Sequence, residues 1–320
     1  MRCLNIFIFL LASLVLCCCQ QNAARYSYST QKARSAWNQP ATTRHYQAAV
    51  PRQARQTATP GSAGMGAARP AYRPSTPAPR PTGAAAVCVI DPRTGTVLYE
   101  HNARTRRQVA STQKIITALC VCDAGGLDRM VTINREDVKA PPIKLNLTPG
   151  TSYRKMDLLR AMMTGSFNDL AMTLARDTAG SVPAFVNRMN AKARQMKMYN
   201  SHFENPSGLP ANQYSTAYDM ARAACYAYYN PIIRSLINIP EYTFTRTNGT
   251  TRRIRSTNKL LGRYPWVQGM KTGYTNAAGK CLISCGSLNG RSVIVVILGS
   301  SNAKIWDESL RYLRWALDIA

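Results

Sequence analysis

The sequence is poor in acidic residues, in long apolar runs and in paired cysteines. It holds 15 Asp and Glu against 41 Lys and Arg in 320 residues, a formal net charge of +26. Its single long apolar run, at the N-terminus, argues against a polytopic membrane protein. Ten cysteines without a CxxC pair or a His/Cys cluster argue against a small disulfide scaffold and a structural zinc site. A hydrophobic content of 45% excludes disorder throughout.

The positive charge predicts an anionic partner, and its distribution narrows the choice. Residues 20–82 hold nine Lys or Arg and no acid, and are rich in Pro, Ala, Gln and Thr. With few aliphatic residues to bury, this segment is predicted to be a disordered basic linker. Its interleaved tyrosines and Trp37 also suit stacking on nucleic-acid bases. We interpret the linker instead as a tether to an anionic envelope surface or a plain spacer, and expect no nucleic-acid partner.

Residues 1–19 have the order of an export signal. Arg2 is followed by an apolar run and then by Cys17, Cys18 and Cys19. The run is shorter than the roughly 20 residues of a membrane span, as in a secretory signal. The cysteines also fit a lipoprotein signal, in which one of them becomes the lipidated N-terminus. We expect an exported protein of the periplasm or cell envelope, with a cleaved signal, a lipid anchor or an uncleaved anchor as alternatives.

Residues 83–320 carry the remaining hydrophobic patterning and are predicted to form one domain. The predicted strands are 84–90, 96–100, 241–247, 250–255, 267–272, 279–287 and 292–299. The predicted helices are 112–124, 156–163, 169–178, 183–196, 216–229 and 303–319. Strands at both ends with helices between them predict an α/β (α+β) fold, an antiparallel sheet closed by its N- and C-terminal strands and flanked by helices. The six cysteines of this region are expected to be buried thiols, with an oxidised pair as the alternative.

A first candidate site is Ser111-Thr112-Gln113-Lys114, at the start of a predicted helix. Residues three apart on a helix share a face, so the Ser111 and Lys114 side chains are within reach of each other. Serine is a weak nucleophile until a base takes its proton, and lysine is such a base when burial or nearby cations lower its pKa. The helix N-terminus offers free N–H groups to a developing oxyanion. Taken alone, Ser111 equally suits a helix cap.

Two further short motifs follow in order. Ser166 and Asn168 lie between two predicted helices, where serine relays a proton and asparagine bonds a lysine or a substrate amide. Lys271-Thr272-Gly273 lies at a strand end and supplies a charge, a hydroxyl for a carboxylate, and room for substrate backbone. Each is weak alone, and Lys271 by itself suits a solvated strand end. Together the three motifs are the set of serine β-lactamases and penicillin-binding proteins.

The sequence resembles the serine D-alanyl-D-alanine carboxypeptidases, the low-molecular-mass penicillin-binding proteins, from about Ala84 onward. Besides the motifs, the likeness is carried by residues 91–100, 205–209, 214–221 and 269–275. The resemblance implies a β-lactamase/transpeptidase-like fold and cleavage of the D-Ala-D-Ala bond of peptidoglycan stem peptides. It implies no metal or organic cofactor, and it implies inhibition by β-lactams.

The resemblance also assigns the catalytic roles. Ser111 would be acylated, with Lys114 as its base. Ser166 would pass the proton to the leaving D-alanine, and Asn168 would position Lys114 and the substrate.

The substrate-binding roles follow the third motif. Lys271 would tune the electrostatic field of the active site, and Thr272 would bind the terminal carboxylate of the substrate beside Gly273. In the family the oxyanion hole is formed by the N–H of the nucleophile and the N–H after Lys-Thr-Gly, here Ser111 and Tyr274. Water would then release the acyl group.

Three departures from the family pattern carry expectations. Phe167 stands where the second motif usually has Gly, and we expect it to narrow the cleft or contact the stem peptide. Lys304 is the best counterpart of an Arg that holds the substrate carboxylate, but it lacks the bidentate fork. The added C-terminal β-domain and membrane helix of many relatives have no counterpart before Ala320, so membrane attachment is expected from the N-terminus.

Three other functions share these features. A D,D-endopeptidase that cuts peptidoglycan cross-bridges would use the same fold and site. A β-lactamase would add a deacylating carboxylate, for which Glu204 is the nearest candidate. A non-enzymatic wall-binding protein is disfavoured because all three motifs are present. We expect a carboxypeptidase that trims stem peptides and affects cell shape.

Overall fold

The computed structural model describes residues 72–319, which fold around one antiparallel sheet. Its strands are β1 (Ala86–Ile90), β2 (Val97–His101), β7 (Val267–Thr275), β8 (Gly279–Leu288) and β9 (Arg291–Ser300). Their spatial order is β2-β1-β9-β8-β7. Cys88 of β1 lies opposite Val296 of β9, so the first and last parts of the domain pair side by side. The predicted fold, a sheet closed by its N- and C-terminal strands, is confirmed.

Two small two-stranded sheets lie outside this sheet. One joins β3 (Met130–Thr132) to β4 (Ser152–Arg154), and the other joins β5 (Glu241–Thr245) to β6 (Thr251–Arg255). The second was predicted from its Asn-Gly turn, where Gly249 has a φ of 80°. The first was not predicted, because strands of three residues are too short to show an alternation of apolar and polar side chains.

Seven α-helices complete the described part of the chain. They are α1 (Lys114–Ala124), α2 (Lys155–Gly165), α3 (Asn168–Ala179), α4 (Val182–Gln195), α5 (Ala217–Tyr229), α6 (Pro231–Ile237) and α7 (Ile305–Leu317). The sequence predicts all of them except α6, a short helix whose first N–H groups are capped by the Asn230 side chain. Within residues 72–319, no helix is both long and apolar enough to cross a membrane.

The sheet separates two apolar layers. On β9, Ile294 and Val296 join the core formed with α1 to α6, whereas Val293 and Val295 join the core formed with α7. A strand buried on both faces has this continuous apolar run. Helix α1 is buried on nearly every side, and its first residue, Lys114, is fully buried as well.

The predicted linker is too long at its C-terminal end. Residues 72–82 lie along α7, where the Trp315 indole N–H donates to the carbonyl of Thr76 at 2.8 Å. The fully buried carboxylate of Glu308 accepts the N–H groups of residues 82–84, at 2.7 to 3.3 Å. Composition alone does not reveal this segment, because its partners lie on a helix more than 200 residues later. The predicted signal and the rest of the linker lie outside the described residues.

The six cysteines in the described part of the chain are free thiols, as expected. Five are buried and one, Cys122, is half-buried. Burial raises the pKa of Cys281 to about 11 and that of Cys225 to about 12. The thiols therefore stay protonated and pack as small apolar side chains.

Candidate active site

The three predicted motifs meet in a cleft at the outer edge of β7. The cleft has a volume of about 450 Å³, and Ser111, Ser166, Asn168, Thr272, Gly273 and Tyr274 contribute to its lining. Lys114 and Lys271 are fully buried behind this surface. The structure thus brings together eight of the nine predicted site residues, and these eight come from three separate parts of the chain.

Ser111 is presented by a strained turn rather than by a regular helix. It lies in a 3-10 turn, Ala110–Gln113, that leads into α1. Ala110 has a φ of 47°, in the left-handed region that residues with a Cβ avoid. The turn is closed by the Thr112 hydroxyl, which donates to the carbonyl of Val109 at 2.6 Å. Such strain persists only where the surroundings enforce it, and it is typical of functional sites.

Lys114 is held by three oxygen atoms. Its Nζ lies 2.9 Å from the Ser111 hydroxyl, 2.8 Å from Asn168 Oδ1 and 2.5 Å from the carbonyl of Ser207. Burial, and then the charge of Lys271, lower the pKa of Lys114 well below its usual value. A neutral amine has two N–H groups and one lone pair. Asn168 Oδ1 and the Ser207 carbonyl only accept, so in the neutral amine they occupy both N–H groups. The Ser111 hydroxyl donates to the Ser207 carbonyl at 3.2 Å, and a rotation of this O–H directs it to the lone pair of Lys114.

The orientation of Asn168 is fixed by its other polar atoms. Its Nδ2 donates to the carbonyls of Pro141 and Pro142, at 3.1 and 2.8 Å. Because both partners only accept, the amide nitrogen faces them and Oδ1 faces Lys114. The backbone N–H of Asn168 donates to the carbonyl of Ile143 at 2.7 Å. The segment around Pro142 therefore braces the second motif.

A second buried lysine holds Ser166. Lys271 Nζ donates to Ser166 Oγ at 2.8 Å and to the carbonyl of Thr272 at 3.0 Å. Ser166 ends α2 with a φ of 63°, which turns its side chain out of the helix. Burial lowers the pKa of Lys271 to about 7. The cleft is therefore backed by two amines with a weakened affinity for protons.

Gly273 lets the nucleophile approach the strand. A Cβ at this position would lie 2.8 Å from the backbone nitrogen of Ser111 and 3.0 Å from that of Thr112. On the opposite side of β7, the Thr272 hydroxyl donates to that of Thr257 at 2.6 Å. The third motif thus places a close-packed glycine beside Ser111 and a hydroxyl on the other face of the strand.

Lys304 is the one predicted site residue that the structure does not bring to the cleft. Its Nζ donates to the carbonyl of Thr82 at 2.7 Å, and its side chain covers Gly83. Asn302, Ile305 and Trp306 of the same segment contribute to the lining instead. The predicted role of Lys304 is therefore contradicted. Two positions earlier or later, at Asn302 and Trp306, the side chains reach the cleft, whereas that of Lys304 points away from it to Thr82.

Phe167 also differs from its prediction. Its side chain is only 4% exposed and does not line the cleft, so it neither narrows the cleft nor faces a substrate there. The ring packs against Gly165, where a Cβ would overlap it. The Arg252 guanidinium covers the other side, 5.2 Å from the ring centroid, and donates to the carbonyl of Leu145 at 3.2 Å. Phe167 thus joins the second motif to the β5–β6 hairpin.

Sequence reasoning missed the roles of Ser207 and Gly208. Ser207 contributes its carbonyl to Lys114, and Gly208, with a φ of 84°, packs so closely that a Cβ would overlap the carbonyl of Ala110. Asn205 Oδ1 accepts the N–H groups of both residues, at 3.1 and 2.8 Å, and holds this loop. The likeness of residues 205–209 to the carboxypeptidases was the available signal. It did not indicate the contact with Lys114, because every residue type has a backbone carbonyl.

Comparison with known proteins identifies the family. Residues 73–302 match the family model described as D-alanyl-D-alanine carboxypeptidase. The chain belongs to this carboxypeptidase family. The match starts within the segment that lies along α7, so the family region includes part of what was predicted as linker.

Individual proteins that are similar to this chain support its assignment to the carboxypeptidase family. It is 34% identical to the D-alanyl-D-alanine endopeptidase of Escherichia coli over 216 residues, 66% of this chain and 69% of the relative. It is 33% identical to the D-alanyl-D-alanine carboxypeptidase DacF of Bacillus subtilis over 223 residues, 68% of this chain and 57% of the relative. The crystal structure of the carboxypeptidase DacD from Francisella tularensis superposes with a TM-score of 0.73 at 29% identity, covering 78% of this chain and 73% of that one.

Proposed function

We propose that this protein is a serine D-Ala-D-Ala carboxypeptidase that acts on peptidoglycan stem peptides through an acyl-enzyme on Ser111. The observation that carries the proposal is the arrangement of Lys114, 2.9 Å from the Ser111 hydroxyl with two acceptor-only oxygens at its N–H groups. A neutral lysine held in this way accepts the serine proton as the hydroxyl attacks. The family membership supports the substrate.

The reaction follows from these contacts. Ser111 Oγ bonds to the carbonyl carbon of the penultimate D-alanine, and Lys114 takes the proton. The N–H of Ser111, beside Gly273, and that of Tyr274 are assigned to the oxyanion. Lys114 then returns this proton, through the hydroxyl of Ser166 that Lys271 holds, to the nitrogen of the terminal D-alanine as the C–N bond breaks. Water then attacks the ester and frees the shortened peptide.

Thr272 is assigned to the carboxylate of the terminal D-alanine. Its hydroxyl lies on the cleft surface, 2.6 Å from that of Thr257. To bind the carboxylate the Thr272 O–H turns towards it, and Thr257 becomes the donor between the two hydroxyls. Lys271, the preceding residue, lies on the buried side of the strand and adds positive charge there in its protonated form. β-Lactams, which resemble the dipeptide and carry a carboxylate, should acylate the same serine.

The decisive experiment is the Ser111→Ala variant. It should release no D-alanine from a pentapeptide and should not be labelled by a fluorescent penicillin, while its melting temperature stays near that of the parent. Labelling that persists in the variant would refute Ser111 as the nucleophile. Lys114→Ala should lose acylation by several orders of magnitude, since nucleophile and base act as a unit.

A β-lactamase is less well supported. Glu204, the predicted candidate for a deacylating carboxylate, accepts the N–H of Asn212 at 3.0 Å and faces His202 instead of the cleft. Among the described residues, the cleft lining contains no Asp or Glu. Without such a base, a penicilloyl ester on Ser111 should be long-lived, which stopped-flow and intact-mass measurements would test.

We also propose that the protein is exported to the periplasm or cell envelope, where its basic linker contacts an anionic surface. The apolar run and cysteines within residues 1–19, and the acid-free composition of residues 20–71, support this proposal. Mass spectrometry of the mature N-terminus tests it. A lipidated cysteine at position 17, 18 or 19 would establish an anchor, and an unmodified residue beyond Cys19 would exclude one. A change in cell shape on deletion would connect the activity to the wall.

A further inference from the structure

The N-terminal end of the described chain is fastened along α7. Residues 72–84, which we call the strap, run beside this helix from its last turn to its first. The Trp315 indole N–H donates to the carbonyl of Thr76 at 2.8 Å, and the Arg311 guanidinium donates to that of Arg80 at 3.3 Å. No residue of the strap lines the cleft or belongs to the three sequence motifs. The proposed reaction therefore gives this segment no role.

A buried carboxylate without a cation holds the end of the strap. Glu308 is fully buried, and its Oε1 accepts the N–H groups of residues 82–84 at 2.7 to 3.3 Å. Its Oε2 accepts the hydroxyl of Ser300, the last residue of β9, at 3.3 Å. Within residues 72–319, no Lys, Arg or His nitrogen lies within 4.0 Å of this carboxylate. A buried charge must be stabilised by hydrogen bonds of this kind, so Glu308 ties the strap and β9 to the first turn of α7.

The turn that leads into α7 has the strap on one side and the cleft on the other. Asn302 and Trp306 line the cleft, whereas Lys304 between them donates from Nζ to the carbonyl of Thr82 at 2.7 Å. A Cβ on Gly83 would lie 2.5 Å from Cδ of Lys304, so the strap packs directly against this turn. The strap therefore supports one wall of the cleft from behind.

This wall stands at the end of the cleft that is assigned to the substrate carboxylate. Lys271 faces the helical layer, where it contacts Ser166, so Thr272 faces the α7 layer. Ile305, the first residue of α7, belongs to the apolar core of that layer and lines the same cleft as Thr272. The position of the first turn of α7 thus decides how much room the carboxylate has beside the Thr272 hydroxyl.

We propose that the strap is a brace that fixes the position of this wall, so that the affinity of the cleft for a substrate carboxylate depends on the attachment of the strap to α7. Glu308 is the positioning residue of this brace, because it touches no reacting group and acts through the first turn of α7. When the strap leaves α7, Glu308 and Lys304 lose their partners in the strap. The turn that carries Asn302 and Trp306 is then no longer held from behind.

The brace joins the cleft to the N-terminal region of the chain. Residues 1–71 precede the strap, so a proteolytic cut within the strap or a pull on this region reaches the wall through the contacts of Glu308 and Lys304. The inference rests on the proposed function, because it assumes that the carboxylate of the substrate binds beside Thr272.

Two variants of the full-length protein test the brace, with release of D-alanine from a pentapeptide as the assay. Glu308→Gln weakens the near end of the strap, and the double variant Arg311→Gln/Trp315→Phe weakens its far end. Arg311 and Trp315 lie roughly 8 and 13 Å along the helix axis from Trp306, so their loss reaches the cleft through the strap. We expect KM to rise at least fivefold in Glu308→Gln and at least threefold in the double variant, while kcat stays within about twofold. Trypsin should cleave both variants faster after Arg80, which reports release of the strap.

The split between KM and kcat distinguishes a brace from a segment that only stabilises the fold. A destabilised protein loses active molecules, which lowers kcat and leaves KM unchanged, and titration with a fluorescent penicillin counts the active sites. Asp307→Asn and Arg314→Gln are the matched controls. Both residues are exposed on α7 and lie outside the cleft lining, so their loss should change neither constant.

Three results would overturn the inference: an unchanged KM in both variants, a loss of kcat alone, or a raised KM without faster cleavage after Arg80. The penicillin carries a carboxylate, so the concentration that half-saturates its acylation rate should rise in parallel with KM. This second measurement tests the brace even if the wild-type protein releases no D-alanine. That result would refute the proposed carboxypeptidase and leave the brace to be decided by the penicillin.

Discussion

Lys271 donates a hydrogen bond to the Ser166 hydroxyl at 2.8 Å, across 105 positions of sequence. Lys271, whose own pKa is about 7, is protonated below that pH, and its charge then lowers the pKa of Lys114 in addition to the larger effect of burial. One side chain therefore serves both proton-handling groups of the cleft. It holds the serine that delivers a proton, and its charge disfavours the protonated form of the lysine that must accept one.

The first prediction concerns the pH dependence of acylation. Lys271→Gln removes the neighbouring positive charge, so the protonated form of Lys114 becomes less unfavourable and the pKa of Lys114 rises. A higher pKa leaves less neutral base at a given pH, so the acid limb of the pH–rate profile for acylation should move to higher pH. The limb is measured as the rate of labelling by a fluorescent penicillin from pH 5 to 10.

Lys271→Arg is the control for charge in that experiment. It keeps a cation at the site, so its acid limb should stay near that of the parent even though its rate falls. A Lys271→Gln limb that is unmoved, or moved to lower pH, would show that the charge of Lys271 does not reach Lys114.

The second prediction concerns the backbone beneath the nucleophile. Gly208→Ala places a Cβ into the carbonyl of Ala110 and within 2.7 Å of the Ser111 nitrogen, so the strained turn must shift. We expect penicillin acylation to fall at least 100-fold. Gly180→Ala is the control, because Gly180 has nearly the same φ, 81°, but nothing within 4 Å of the added Cβ.

Both glycine variants incur the cost of a left-handed residue with a Cβ, about 1–2 kcal/mol. Thermal unfolding measures that shared cost. If the two variants lost acylation to the same extent, the contact with Ala110 would not be what holds Ser111.

The third prediction concerns Phe167, which was expected to face the substrate and is buried instead. Phe167→Leu leaves a partial cavity between Gly165 and Arg252 and should lower the free energy of unfolding by about 1–2 kcal/mol. Because Ser166 and Asn168 flank it, kcat for the pentapeptide should fall severalfold, while KM stays within about twofold.

Phe185→Leu provides the comparison. Phe185 is a fully buried aromatic on α4, away from the cleft, so its loss should cost similar stability and leave kcat unchanged. A tenfold rise of KM in Phe167→Leu would restore the expectation of a direct substrate contact.

The fold was largely predictable because local patterns decide most of it. Apolar spacing indicates α1 and the buried β9, and Asn248-Gly249 indicates the β5–β6 turn. The candidate site was predictable where side-chain types carry the chemistry, as at Ser111 and Lys114. What could not be predicted depends on tertiary neighbours: the Ser207 carbonyl at Lys114 and the contacts of residues 72–82 with α7.

The errors have the same origin. Phe167 and Lys304 were placed from the family pattern, which gives a position in the chain but no side-chain direction. At Phe167 the sequence could not show that the ring fills a space between Gly165 and the Arg252 guanidinium. At Lys304 it was the carbonyl of Thr82, in a segment predicted to make no contacts.

The last prediction tests that segment. Glu308 is fully buried and accepts the N–H groups of residues 82–84, and Ser300 Oγ donates to it at 3.3 Å. Glu308→Gln keeps the shape but removes the charge from these hydrogen bonds, each worth about 1.5–3 kcal/mol when charged. We expect a loss of about 2 kcal/mol in the free energy of unfolding.

Release of the segment has its own signature, because Arg73 and Arg80 lie within it. The Arg80 carbonyl accepts from Arg311 at 3.3 Å, so trypsin needs local opening to cleave there. Glu308→Gln should speed cleavage after Arg80 at least tenfold. Asp307→Asn is the matched control: Asp307 is 77% exposed and its ion pair with Arg311 spans 3.8 Å, so its loss should change neither stability nor cleavage. If both variants were cleaved at the same rate, the buried carboxylate would not be what holds residues 72–82 against α7.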